Sequence, residues 1–266
     1  MNCLNTSAER EDTVVGTRLA KTWSDMYKGM YIAVSGAVLM QTQLDTIAQN
    51  LANANTAGYK KDTLAFKDYL VQPAGTEPDG RDMSDYSGSK IDQSSGTTVS
   101  TGNKLDIALE GDGFIALDGN RYTRRGDLKK DSDGYLTNHD GIKIMGMGGP
   151  IQLPVDSVEI NIDLGGKVSV VQAGNTQPTQ IDTIQIMNFG PDAAMNKAGD
   201  GMYTFSGEGT PSTATIKQGY LETSNVDPIK EMVQMIETER EFESYQKAIQ
   251  MFDSATKTVT DQLGSL

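Results

Sequence analysis

The chain has one cysteine and one histidine in 266 residues. Cys3 alone builds neither a disulfide framework nor a thiolate metal cage, so the chain suits the cytosol or an extracytoplasmic structure that does not rely on disulfides. His139 sits in the turn sequence NHDG, with no second histidine for a zinc cluster and no choice of base for a Ser/His/Asp set. It reads as a solvated turn residue. Basic residues are also scarce: 23 Lys and Arg face 36 Asp and Glu, a net charge of −13. Nucleic-acid binding needs a concentrated basic surface, which that balance does not supply. The two dense basic runs, Arg121 to Lys130 and Lys60/Lys61, are short and read as solvated strand or loop.

No stretch reaches the ~20 apolar residues of a spanning helix. The longest, Met30 to Met40, is interrupted by Ser35 and Gly36. The first 25 residues carry charges and lack an apolar h-region or small-residue cleavage site, so they do not form a secretory signal peptide. With Met26 and Met30 both available as starts, Met1 to Asp25 reads as a disordered extension or a mis-called start.

The motifs that carry chemistry are absent or incomplete. DSDG at Asp131 to Gly134 resembles the start of a calcium loop, but Tyr135 takes the third ligand position and Leu136 the glycine position, leaving a β-turn. EGDGF at Glu110 to Phe114 and MGMGG at Met145 to Gly149 complete neither a dinucleotide fingerprint nor a P-loop. The carboxylates Asp131/Asp133 and Glu237/Glu239/Glu241 read as a turn and a solvated helix face. No catalytic residue, metal ligand, cofactor or small-molecule substrate is indicated, and the chain reads as an assembly subunit, not an enzyme.

What is present is periodicity. Met30, Ala33, Ala37, Met40, Leu44, Ile47 and Leu51 step alternately by 3 and 4, an apolar seam of three heptads. Ile32, Val34, Val38 and Leu39 add apolar surface off that seam. Asn53, Asn55 and Gly58 then end the helix. Near the other end, Asp227 is placed to cap a helix that opens with Pro228. Met235, Thr238, Phe242, Tyr245, Ile249, Phe252, Thr256, Val259 and Leu263 again step by 3 and 4, with Ile229, Met232, Val233 and Ile236 as a second stripe. The two helices could pack on each other within one chain, but the surplus apolar faces favour several neighbours over one partner. A complete seam contributes on the order of 10 kcal/mol before ordering entropy is subtracted.

Between the helices the texture is that of strands. LDIAL, GFIAL, RYT, GYLT, IKIMG, PIQLP, VEINI, KVSVV, IDTIQIMNF and MYTF are candidates, divided by glycine and aspartate turns. The predicted fold is a mainly β central domain, glycine-rich and sandwich- or barrel-like, flanked by N- and C-terminal α-helices that form coiled-coil-like assembly layers. The expected organisation is an extension over 1–28, an N-terminal assembly helix over 29–57, an extended arm or linker over 58–103, the β domain over 104–217 and a C-terminal assembly helix over 218–266.

Three blocks carry a family resemblance. SGAVLMQTQLDTIAQNLANANTAGYKKD (Ser35 to Asp62), with NLANANTAGYK at its centre, resembles the N-terminal signature of the bacterial flagellar rod, hook and hook-associated family. QGYLETSNVDPIKEMVQMIETEREFESYQKAIQMFD (Gln218 to Asp253) is similar to its C-terminal signature, and TGNKLDIALEGDGF (Thr101 to Phe114) to the segment that opens its β domain. Ile115 departs from the second aromatic many members carry. Within the family the wording lies nearest to proximal-rod members, with distal-rod members the runner-up. The resemblance implies a helical tube in the periplasm, built with copies of the chain and other rod proteins, that transmits torque from motor to hook. It also implies type III export without a cleaved Sec signal, and no membrane insertion. The expected assembly positions are Met40, Leu44, Ile47, Asn50, Leu51, Asn53 and Gly58 at the front, and Asn225, Phe242, Tyr245, Ile249 and Phe252 at the back. From another class, the alternative is a soluble β glycan-binding or adhesion module using exposed Tyr122, Tyr135 and Tyr203.

Overall fold

A computed structural model describes residues 5–70, 82–174, 177–190, 193–199 and 201–263. Cys3 lies outside the described residues, as do residues 71–81 of the expected arm. The chain divides into two compact units, one comprising Met1–Ala48, Leu64–Gly88 and Met232–Leu266, the other Gln49–Thr63 and Ser89–Glu231.

The first unit is built on two long helices. The N-terminal helix, α1, spans Asn5–Ala52, and the C-terminal helix, α2, spans Pro228–Leu263. Helical backbone therefore begins well before residue 29, running through the segment set apart by sequence as an extension. Both seams are the less exposed stripe of their helix: Ala33, Ala37 and Ile47 on α1 and Thr238 on α2 are buried. Met40, Leu44, Phe242, Tyr245, Ile249 and Phe252 are partly buried. They face one another inside the chain. A Cβ on Gly29 would come within 2.8 Å of the Phe252 ring, and one on Gly36 within 2.5 Å of the Tyr245 ring. Two glycines seven residues apart thus meet two rings seven residues apart in reverse order, which makes the helices antiparallel and sets their register. At these two points the seams pack on each other within the chain. Ser35, Thr42 and Thr46 fit a helix because each hydroxyl donates to a carbonyl one turn back.

The second unit is the β domain. Its main sheet has six antiparallel strands in the order Met195–Lys197, Met202–Phe205, Arg121–Thr123, Phe114–Leu117, Ile186–Asn188, Thr210–Pro211. Pleat alternation sends Ile115 and Leu117 into one core with Leu136, Ile144, Ile151, Val168 and Ile184. Phe114 enters a second core with Phe189, Tyr203 and Phe205. Both faces of the sheet are therefore covered. Ile115, the departure noted above, is fully buried in the aliphatic core. Phe189 and Phe205 stack with centroids 3.8 Å apart, and Tyr122 meets Phe189 edge-on at 4.7 Å. A separate three-stranded sheet runs Ser157–Ile162, Lys167–Gln172, Thr179–Thr183.

Two further boundaries differ from the sequence reading. Residues 218–222, expected in the C-terminal helix segment, lie in strands: Thr215–Gln218 pairs with Ile107–Glu110, and Tyr220–Glu222 with Thr98–Ser100. The stretch read as an extended arm therefore contains strands, Asp62–Leu70 pairing with Asp82–Ile91 as well as Thr98–Ser100. α2 starts where its cap was expected, with Asp227 Oδ1 accepting from the amides of Ile229 at 3.1 Å and Lys230 at 3.3 Å. Those bonds hold the Asp227 carboxyl below the usual carboxylate range.

Candidate functional site

Within the β-domain unit, the end of α1 and the approach to α2 are fastened by a polar clasp. α1 stops because Asn53 turns its amide back onto the Gln49 carbonyl at 2.9 Å and Thr56 donates to Asn53 Oδ1. Gly58 then adopts φ 65°, and its amide donates to the Glu222 carbonyl at 2.8 Å. A Cβ there would lie 2.5 Å from the Arg124 backbone, so glycine is required both by conformation and by space.

Asn50 is buried and pairs with backbone as a strand would. Its Nδ2 donates to the Asp62 carbonyl and its Oδ1 accepts the Asp62 amide, both at 2.9 Å. Nδ2 also lies 3.5 Å from Glu231 Oε2 in the first turn of α2. Asn225 repeats the device from the other side: Oδ1 accepts the Lys61 amide at 2.8 Å, and Nδ2 donates to the Asp92 carbonyl at 3.0 Å. Each asparagine amide thus satisfies backbone groups that the neighbouring strands leave unpaired.

At the centre are three charged side chains, each no more than 3 % exposed. Lys60 Nζ donates to Glu222 Oε1 at 2.8 Å and to the Ser94 carbonyl at 2.6 Å. Arg124 Nε donates to Glu222 Oε2 at 2.5 Å, while its terminal nitrogens donate to the carbonyls of Leu109, Gly111 and Gly113. Gly96 adds its amide to Glu222 Oε1 at 2.9 Å. Burial pushes the Glu222 carboxyl up, but Arg124 and Lys60 outweigh it and hold the carboxyl below its usual range. Burial pushes the Lys60 ammonium down, and Glu222 offsets that only in part. The Lys60 amide donates to Tyr203 Oη at 3.1 Å.

These contacts correct two sequence readings. Lys60 and Arg124, taken from runs read as solvated, are among the most deeply buried residues, because a carboxylate and carbonyls wait inside for them. Tyr203, expected exposed, is buried, and Tyr122 packs among phenylalanines. Tyr135 lies under the Lys143 ammonium at 3.5 Å. An exposed aromatic platform of these three tyrosines does not exist. The DSDG turn is a turn, Asp131 Oδ1 accepting from the amides of Asp133 and Tyr135.

Of the expected assembly positions, Asn50, Asn53, Gly58 and Asn225 come together in the clasp. Met40, Leu44, Ile47, Phe242, Tyr245, Ile249 and Phe252 belong to the helix unit, and Leu51 is half-buried near the end of α1. Lys60, Arg124 and Glu222 were missed, and Tyr203 was named only for an exposed sugar-binding role. Their signal was faint: Lys60 lies inside the NLANANTAGYK block, but Glu222 is 162 residues from it and shows its role only once folded.

A site whose charges are matched to one another and to backbone carbonyls holds elements in position. Among the described residues no group of three or more His, Cys, Asp or Glu could hold a metal ion, and no helix is long and apolar enough to cross a membrane. Fold and site together define a structural subunit: a unit of two long helices, and a β-domain unit that carries a polar clasp. The comparisons say which kind. Residues 30–60 match the family described as flagella basal body rod protein, residues 108–170 the D1 domain of the flagellar hook protein FlgE/F/G, and residues 217–263 the C-terminal part of the flagellar basal body rod FlgEFG proteins. The chain is 37 % identical over 255 residues to the flagellar basal-body rod protein FlgG of Bacillus subtilis, covering 86 % of this chain and 96 % of that one. It is 32 % identical to FlgG of Agrobacterium fabrum, covering 89 % and 99 %. It is 29 % identical to the rod protein FlgF of Caulobacter vibrioides, covering 91 % and 100 %. The chain belongs to the flagellar basal-body rod proteins and is a structural subunit of the rod. The family is a structural one, located in the flagellar basal body and assembling with other rod proteins.

Proposed function

We propose that this subunit polymerises through the outer faces of its paired terminal helices, forming the helical tube that carries torque from motor to hook. One observation carries the reading: after the helix seams have packed on each other, apolar stripes remain outside. On α1, Tyr31, Val34 and Val38 follow one another at helical spacing and are exposed, Val38 at 61 %. On α2, Ile229, Val233 and Ile236 do the same, Ile229 at 71 %. Such stripes on a monomer are interaction surfaces, and copies of the chain and other rod proteins are the partners that the family supplies. The clasp makes the assembly stiff by tying the end of α1 and the start of α2 to the β domain.

The tier proposed is the distal, FlgG-type one. Its support is the higher identity to FlgG than to FlgF, against a wording in the opening segment of the β domain that leans to the proximal, FlgF-type tier. Export proceeds through the flagellar type III apparatus without a cleaved Sec signal, consistent with a charged N-terminal segment. Mass spectrometry of purified basal bodies tests all three statements. The chain is expected there with its uncleaved N-terminus, cross-linking to hook-side neighbours. Its absence from basal bodies that are otherwise complete would sink the reading, and cross-links confined to motor-side neighbours would move it to the proximal tier.

A further inference from the structure

The β domain carries a second apolar feature that the helix stripes do not explain, in two parts at opposite ends of one hairpin. Strands Ser157–Ile162 and Lys167–Gln172 form an antiparallel ribbon. At its open end Val155 and Val158 are 86 % and 74 % exposed. The ladder shifts register between Ser157 and Glu159, so Val158 is the extra residue of a bulge. Bulges of this kind re-aim side chains, and here the result is an apolar knob pointing away from the core.

At the turn end of the ribbon Leu164 is 65 % exposed, and beside it opens a groove of ≈ 260 Å³. Gly165, Ile186, Met187, Pro211 and Ala214 are among its lining residues, and Met147, 78 % exposed, stands at its edge. Six residues separate Val158 from Leu164, about 20 Å at strand rise. A rigid ribbon cannot bend its own knob into its own groove.

We infer that the Val155/Val158 knob of one copy of this chain docks into the groove lined by Met147, Met187 and Pro211 of the next. The contact pairs two different patches lying at opposite ends of one element. It is therefore head-to-tail, the type that propagates into an open helical array instead of closing into a dimer. Charge fits the same pairing. Asp156, exposed between the two valines, forms no ion pair among the described residues. Lys167, whose side chain is likewise without a carboxylate partner there, stands opposite Thr183 across the ladder, and Thr183 lines the groove. An acidic knob thus meets a groove with a cation at its margin. Near the groove, Asp163 and Asp182 direct their carboxylates to backbone amides, Gly165 and Lys167 for the first, Thr183 and Gly148 for the second.

This contact rests on the polymer reading above and adds to it a β-domain joint between like copies. Cysteine cross-linking tests it. The full chain carrying Val158→Cys and Met147→Cys, with Cys3→Ser as background, is expressed in cells that lack the parent, and basal bodies are purified and oxidised. A ladder of covalent multimers of this chain is expected, with the single-cysteine variants giving none. No ladder from basal bodies that contain the doubly substituted chain overturns the joint while leaving helix-driven assembly standing, as does a covalent product with a different rod protein. Should the cysteine pair not be incorporated, charge reversal gives the answer. Asp156→Lys and Lys167→Asp should each lower incorporation at least threefold, and together restore it; failure of the pair to restore overturns the joint. Absence of the unmodified chain from basal bodies would instead remove the polymer reading itself.

Discussion

The Lys60 ammonium lies 2.8 Å from Glu222 Oε1, joining the block that follows α1 to the block that precedes α2 across 162 residues of sequence. Neither side chain reaches water to any useful extent, so each depends on the other for its charge. Breaking a buried ion pair by removing one member costs about 3–5 kcal/mol, because the remaining charge is left uncompensated. Glu222→Ala is expected to cost more than Lys60→Met, since it strands Lys60 and Arg124 together. Urea unfolding of both variants measures this, and equal midpoints for parent and Glu222→Ala would remove the clasp from the account.

Acid should loosen the clasp. The folded Glu222 carboxyl lies below its ordinary value of 4.5, so its contribution to stability is present above that value and is lost as pH falls through and below it. Lys60 works with the same sign at the alkaline end: its folded value lies below 10.5, so the unfolded chain holds the extra proton and stability rises with pH in that window. Melting temperatures between pH 7 and pH 3 are expected to fall less steeply for Glu222→Gln than for the parent. Parallel profiles would contradict the assignment.

Gly58→Ala combines a left-handed conformation with a collision against the Arg124 backbone at 2.5 Å. Strain of that kind costs of order 1–3 kcal/mol before the collision is added. Thermal melts should show a loss at least that large, whereas Gly141→Ala, with φ 81° and open space around it, should show the conformational strain alone.

Gly36 gives a test in which the sign changes. In the parent, Gly36→Ala brings a methyl within 2.5 Å of the Tyr245 ring and is expected to destabilise the helix pair. In a Tyr245→Ala background the ring is gone, and the same substitution should stabilise by up to ~1 kcal/mol through helix propensity. A double-mutant cycle reads the coupling directly, and a cycle with no coupling energy would show that the register is different.

Periodicity made much of this legible. The later part of α1 with its end at Asn53, α2 from its Asp227 cap and most of the candidate strands stand where 3.6- and 2-residue patterns put them, while α1 begins much earlier than its apolar seam. Non-local chemistry was harder to see. Gly36 read as an interruption in an apolar run and Gly29 drew no reading, although they are the notches that receive Tyr245 and Phe252, because a notch is defined only by the ring that enters it. Lys60 and Arg124 read as solvated because charge density along the chain says nothing about a carboxylate far away in sequence. Glu222, in a three-residue strand, carries no pattern of its own. The assembly positions Asn50, Asn53, Gly58 and Asn225 were singled out by the family blocks, and their contacts lie within the chain: asparagine amides standing in for strand backbone.

The claim that the outer helix stripes drive rod assembly is tested most directly by counting this chain in purified basal bodies when one stripe is made charged. Val38→Asp and Ile236→Asp alter exposed positions, so the purified monomers should melt within about 0.5 kcal/mol of the parent. Quantitative mass spectrometry is expected to show the chain reduced at least tenfold in basal bodies from either variant, in cells that no longer swim. Parental abundance and normal swimming with both substitutions would contradict it.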